Sequence, residues 1–188
     1  MLKSLTSLAL CLALFAGNAF AESNPKVLMK TNKGDITLEL FPEQAPETVK
    51  NFLEYVDSDF YDGTIFHRTI AAFMIQGGGF TEDMNQKDVH DPIKNESGNG
   101  LSNKQGTIAM ARTNYPHSAT SQFFINAVNN RNLDARGNRF GYAVFGQVTD
   151  GMDLVIQISR TPTGSKAGHR DVPKSPIIIE SIERIEAE

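Results

Sequence analysis

The feature that most constrains this chain is a succession of short apolar, β-branched runs broken by glycine-rich turns, with only two stretches that carry helical periodicity. Val27-Leu28-Met29 and the alternating Ile36-Thr37-Leu38-Glu39-Leu40 read as two strands joined by Thr31-Asn32-Lys33-Gly34, a hairpin sequence because Asn and Gly tolerate positive φ. Thr64 to Gln76 is dense in apolar and β-branched residues and ends at Gly77-Gly78-Gly79. Thr107 to Ala111, Gln122 to Asn126 and Tyr142 to Val148 are further strands, and Ile177 to Ile179 with Ile182 to Ile185 make the last. Pro46 opens a helix on which Val49, Phe52, Leu53 and Val56 share one face; Met152, Val155, Ile156 and Ser159 mark a second, closed by Pro162. Many short strands with two helices point to a single domain built as a β-barrel or sandwich. Phe80 to Gln105 is polar and aperiodic, a long surface excursion of the kind that is usually functional.

Met1 to Ala21 stands apart from this pattern. Lys3, the apolar run Leu5 to Ala16 and the small–any–small triplet Ala19-Phe20-Ala21 form the three parts of a secretory signal, with cleavage expected after Ala21. The run is shorter than the roughly 20 apolar residues that a membrane span needs, so no membrane attachment is expected after cleavage. The lone cysteine, Cys11, lies in this leader. A mature chain from residue 22 to 188 is therefore thiol-free and cannot form wrong disulfides in an oxidising compartment.

Composition removes several functions. The formal charge of −4 lacks the basic surplus of nucleic-acid binders. His67, His90, His117 and His169 are not spaced as metal ligands, so no metal is expected. Gly77-Gly78-Gly79 lacks the Lys-Ser/Thr ending of a phosphate loop and reads as a bulge or tight turn. No Ser sits in a Gly-x-Ser-x-Gly setting. These exclusions leave an exported β-rich domain without an assigned chemistry.

The run Phe66-His67-Arg68-Thr69-Ile70-Ala71-Ala72-Phe73-Met74-Ile75-Gln76-Gly77-Gly78-Gly79-Phe80 resembles the signature of the cyclophilins, which are peptidyl-prolyl cis–trans isomerases. Gly106 to Arg112, Ser121 to Ile125, Leu133-Asp134, Val144-Phe145-Gly146 and Gly151-Met152 follow in family order, so the resemblance spans essentially all of the chain beyond the leader. Together with the leader, it looks most like the periplasmic cyclophilins of Gram-negative bacteria. The resemblance implies a mainly β fold, a closed eight-stranded antiparallel β-barrel capped by two α-helices, with the active site in a groove on the outside of the barrel.

Position by position, the resemblance makes Arg68, Phe73 and Gln76 the catalytic set. Met74, Phe124 and Leu133 join Phe73 in an apolar pocket for the proline ring, and Ala111, Arg112, Gln122 and Tyr142 complete the substrate-binding rim. Taken singly, an Arg in an apolar strand is often only the partner of a carboxylate, and Phe73, Met74 and Phe124 would be core; their co-occurrence in one signature favours function. His67 reads as structural, and Arg131, Arg136 and Arg139 as a solvated face. Arg112 stands where eukaryotic members commonly have Asn, Asn132 where many have Trp, and Tyr142 where many have His, while Ala135 to Phe140 lengthens the intervening loop. One wall of the groove is thereby opened, and weak or no binding of cyclosporin is expected.

Such chemistry needs no nucleophile, metal or cofactor. Rotation about an X–Pro bond breaks amide resonance across a barrier of roughly 18–20 kcal/mol, and the task is to bind the twisted amide better than either planar form. An always-charged Arg can donate to the prolyl nitrogen as its lone pair is released. The expected partners are X–Pro segments of unfolded or flexible exported proteins, met by a monomeric periplasmic enzyme. A second reading is a proline-segment-binding holdase in which turnover is incidental.

Overall fold

A computed structural model describes residues 24–185; the expected signal segment lies outside the described residues. Apolar alternation in the first two runs becomes two paired strands, β1 (Lys26–Thr31) and β2 (Gly34–Leu40), with Val27, Met29, Ile36, Leu38 and Leu40 all fully buried. The segment Thr64 to Gln76 folds back on itself as β3 (Arg68–Ile70) and β4 (Met74–Gly77), since Ala72 adopts a positive φ of 55° between them. β5 (Thr107–Met110), β6 (Phe123–Asn126), β7 (Val144–Asp150) and the C-terminal strand (Ile179–Ile185) complete an antiparallel sheet of eight strands.

Numbered in chain order, the C-terminal strand is β10, because a hairpin of β8 (Thr163–Lys166) and β9 (His169–Pro173) precedes it. The sheet order is β10-β1-β2-β7-β5-β6-β4-β3. Its two ends are tied by backbone hydrogen bonds just ahead of the edge strands: Phe66 N–H to the Ile177 carbonyl at 2.9 Å and Ile179 N–H to that of Thr64 at 2.8 Å. This join, with an isolated bridge between Ile65 and Ile178, stands in place of a continuous β3–β10 ladder. The fold is mainly β, a strongly curled antiparallel sheet with two helices.

Helix α1 (Pro46–Asp57) and helix α2 (Met152–Ser159) lie where the periodicity places them, and both feed the core enclosed by the sheet. From α1 come Val49, Phe52, Leu53, Tyr55 and Val56, and from α2 Val155 and Ile158. Phe52, Tyr61, Phe66 and Phe123 meet edge-on or tilted at ring separations of 5.3–6.1 Å, the geometry aromatic rings prefer.

The last strand read from the sequence is present as β10, which starts at Ile179 rather than Ile177. The structure corrects the sequence reading in two places. The β8–β9 hairpin has no counterpart in the periodicity, because its strands are short and mostly polar; only the Ala167-Gly168 turn, with φ of 49° and 81°, carries a local signal. The 80–105 segment is also more than a surface excursion. Asn95, Ser97 and Asn103 are buried in it and take the place of missing secondary structure, with the Asn95 amide donating to the carbonyls of Pro116 and Gly141 and the Ser97 hydroxyl accepting from Gly141 N–H.

Candidate active site

Strand alternation sorts these residues onto two faces. Ile75, Ile108, Phe123, Ile125 and Phe145 turn into the main core, so their neighbours turn outward. Those neighbours do not meet solvent. Met74, Ala109, Phe124 and Val144 form a second buried cluster, with Phe73, Ala111, Leu133 and Tyr142 packed against it.

Register then sets one row across the outer face. Arg68 pairs with Gln76, Gln76 with Phe124, Phe124 with Ala109, and Ala109 with Val144. The polar end of the row is Arg68 and Gln76, and the apolar remainder is the floor beside it. A concave site results, in which Phe73, Met74, Phe124 and Leu133 supply apolar surface and Arg68 and Gln76 one polar edge. Ala111, Arg112 and Tyr142 line the same pocket. Of the ten residues singled out from the sequence, nine line it. The tenth, Gln122, lies one step away in an adjoining depression that shares Gln76, Ala111 and Arg112.

The polar edge is held by a short relay. Gln122 Oε1 accepts a hydrogen bond from Gln76 Nε2 at 3.0 Å, and Gln76 Oε1 accepts one from Arg68 Nη1 at 3.4 Å. This orients both amides and sets the Arg68 guanidinium beside Gln76 in the pocket lining. Gly79 makes room for the relay, since a Cβ there would lie 2.5 Å from Gln122 Cγ. Gly78, at φ +79°, turns the chain after β4, and a Cβ there would stand 2.7 Å from the Phe123 ring; the triple glycine is thus a tight turn under close packing.

Behind the apolar floor lies a buried amide network that sequence reading did not single out. Asn130 Nδ2 donates to the Phe73 carbonyl and to Asn126 Oδ1, Asn126 Nδ2 donates to Asn103 Oδ1, and Asn103 Nδ2 donates to Asp134 Oδ1. It fixes the turn that carries Phe73 to the 3₁₀ turn Arg131–Leu133, which carries Leu133. Burial raises the Asp134 pKa, but hydrogen bonds from Asn103 and Ser102 outweigh it and hold the carboxyl below its ordinary range. Asn126 sits in an apolar strand, and that placement was the available signal.

His67, next to Arg68, is 3 % exposed and packs edge-on against Phe80. Burial, reinforced by His169, lowers its pKa to about 4, so it is neutral at physiological pH and turned away from the pocket lining. Arg131, Arg136 and Arg139 are exposed; Arg136 and Arg139 donate to loop carbonyls.

The chain matches the family "Cyclophilin type peptidyl-prolyl cis-trans isomerase/CLD" over residues 26–184. It belongs to the cyclophilin family. Peptidyl-prolyl cis-trans isomerase B of Escherichia coli (strain K12) is 55% identical over 159 residues, covering 83% of this chain and 97% of that protein. A peptidyl-prolyl cis-trans isomerase of Acinetobacter baylyi is 53% identical over 166 residues, covering 88% of each. Among solved structures, a cyclophilin-type isomerase of Cryptosporidium parvum, crystallised in the presence of the dipeptide Ala-Pro, aligns with a TM-score of 0.70 at 30% identity, covering 86% of this chain and 99% of that one. This cyclophilin is an enzyme, a peptidyl-prolyl cis–trans isomerase.

Proposed function

We propose that this cyclophilin accelerates X–Pro isomerisation in exported proteins, with Arg68 donating to the prolyl nitrogen of the twisted amide. The supporting observation is the cross-strand row, which sets the Arg68 guanidinium beside Gln76 at the lip of the Phe73–Met74–Phe124–Leu133 pocket. The pocket fixes the proline ring while the preceding residue rotates. Burial of that ring lowers the local dielectric and strengthens the Arg68 contact. Gln76 and Gln122 hold the substrate backbone together with Ala111 and Arg112.

The test is the isomerisation rate of an X–Pro peptide. Removing the preorganised donor in Arg68→Ala lowers kcat/KM by on the order of 10²–10³, and Arg68→Lys recovers little because a point charge lacks the planar fork. Full activity in Arg68→Ala overturns the mechanism. Suppression of client aggregation by that inactive variant would instead favour the holdase reading.

The Met1–Ala21 leader supports a periplasmic site of action, tested by the mass of protein recovered from the periplasm, which should begin at Glu22. No helix among the described residues is long and apolar enough to cross a membrane. Among those residues only Val89, Tyr115, Phe140 and Ile185 are large apolar side chains left exposed, which supports action as a monomer.

A further inference from the structure

Arg68 has a second neighbour, on the side away from Gln76. Its Nε lies 3.8 Å from Asp171 Oδ2, and the two side chains are 40% and 43% exposed. Asp171 belongs to β9, and its presence there depends on an irregular backbone. Lys166 pairs with His169 and Gly164 with Val172, so two steps on β8 face three on β9, and Arg170-Asp171 carries the extra residue of a β-bulge. Asp171 itself has φ +61°, in the left-handed region. Bulges of this kind re-aim a side chain.

The flanks of the bulge are anchored. Val172 is buried in a satellite cluster with Ile65, Phe80 and Met84. His169 packs edge-on against the Phe80 ring at 5.0 Å. At the turn, Lys166 Nζ donates to the Glu82 carbonyl at 2.8 Å. The hairpin is thus seated on its neighbours at points before and after the bulge. Between them Arg68, Gly168, His169, Arg170 and Asp171 line a shallow cleft on the side of Arg68 away from the apolar pocket.

An ion pair this exposed contributes little to folding, and a non-glycine residue at positive φ carries strain. Stability therefore does not account for the arrangement. We propose that Asp171 is a positioning residue for Arg68: its carboxylate holds the Nε edge of the guanidinium while Gln76 holds Nη1. An Arg side chain otherwise loses considerable rotamer freedom when it must present one geometry to a transition state. Fixing it from both sides lowers that loss. The proposal rests on Arg68 being the catalytic donor.

Asp171→Gly removes the carboxylate and relaxes the backbone, so its Tm should equal or exceed that of the wild type. In a peptide isomerisation assay its kcat should fall roughly tenfold with KM within about twofold, the pattern of a lost transition-state contact. Asp171→Asn keeps the size, an acceptor oxygen and tolerance of positive φ, and should recover part of the loss. In the Arg68→Ala background, assayed at higher enzyme concentration, Asp171→Gly should cause no further loss, because the two residues act as one unit. A wild-type kcat in Asp171→Gly beside an impaired Arg68→Ala overturns the positioning role alone. Equal fractional losses in both backgrounds also overturn it. Full activity in Arg68→Ala overturns the Arg68 mechanism and the positioning role with it.

Discussion

The guanidinium of Arg112 stacks over the ring of Tyr142, 4.5 Å from its centroid, and its donors reach the carbonyls of Gly141, Phe140 and Thr113. Tyr142 in turn meets Phe124 edge-on at 5.5 Å. Arg112 thereby braces the part of the pocket lining formed by Tyr142 and Phe124. Arg112→Ala should raise KM for X–Pro peptides several-fold with a smaller change in kcat, since a stacked, multiply bonded Arg contributes on the order of 1 kcal/mol or more. Arg112→Lys should not restore it, because an ammonium cannot reach three carbonyls from one plane. Steady-state kinetics of the two variants decide the point.

Asn132 is exposed on the 3₁₀ turn and does not line the apolar pocket. Asn132→Trp would extend the pocket wall with a large aromatic surface. The expected outcome is cyclosporin inhibition at least about tenfold tighter than the weak binding proposed for the wild type, since one buried aromatic contact exceeds 1.4 kcal/mol. Peptide isomerisation should change little. Inhibition titrations on both proteins measure it.

The residue at the N-cap of α1 is Ala45, which offers no side-chain cap. Glu96, from the 80–105 segment, takes that role: its carboxylate accepts from the N–H groups of Glu47 at 3.2 Å and Thr48 at 2.8 Å, and from the Thr48 hydroxyl at 2.6 Å. Glu96→Ala should destabilise the fold by about 1–2 kcal/mol, the worth of a lost cap with its charge–dipole term. Denaturant unfolding tests this, and kcat/KM of the folded fraction should be unchanged.

His67 should make the fold acid-sensitive. Its pKa is about 4 in the folded protein because burial disfavours the charged ring, against an ordinary value near 6.5. The unfolded chain therefore binds the proton first as pH falls. Stability from this group is complete above about pH 6.5 and is lost progressively toward pH 4, by roughly 3 kcal/mol in all. His67→Phe, which keeps a ring against Phe80, should flatten the pH dependence of unfolding free energy between those limits.

What could be read without a structure follows from local periodicity. Period-two alternation in Val27–Leu40 and period-3.6 spacing in Pro46–Asp57 are properties of neighbouring residues, so β1, β2 and α1 were legible within a residue or two. Arg68, Phe73, Met74 and Gln76 lie close together in one segment, and the family signature named them.

Glu96, the Asn103–Asn126–Asn130 network and Asp171 were not legible, because each works across a long loop closure. Nothing local to Asp171 marks it: its hairpin is mostly polar, and neither period applies. The sequence by itself determined where most of the short strands and both helices lie, and which short segment carries the family signature. Only the tertiary structure decided which distant side chain stands beside Arg68, since register, a β-bulge and the seating of a hairpin are properties of the assembled sheet rather than of any one strand.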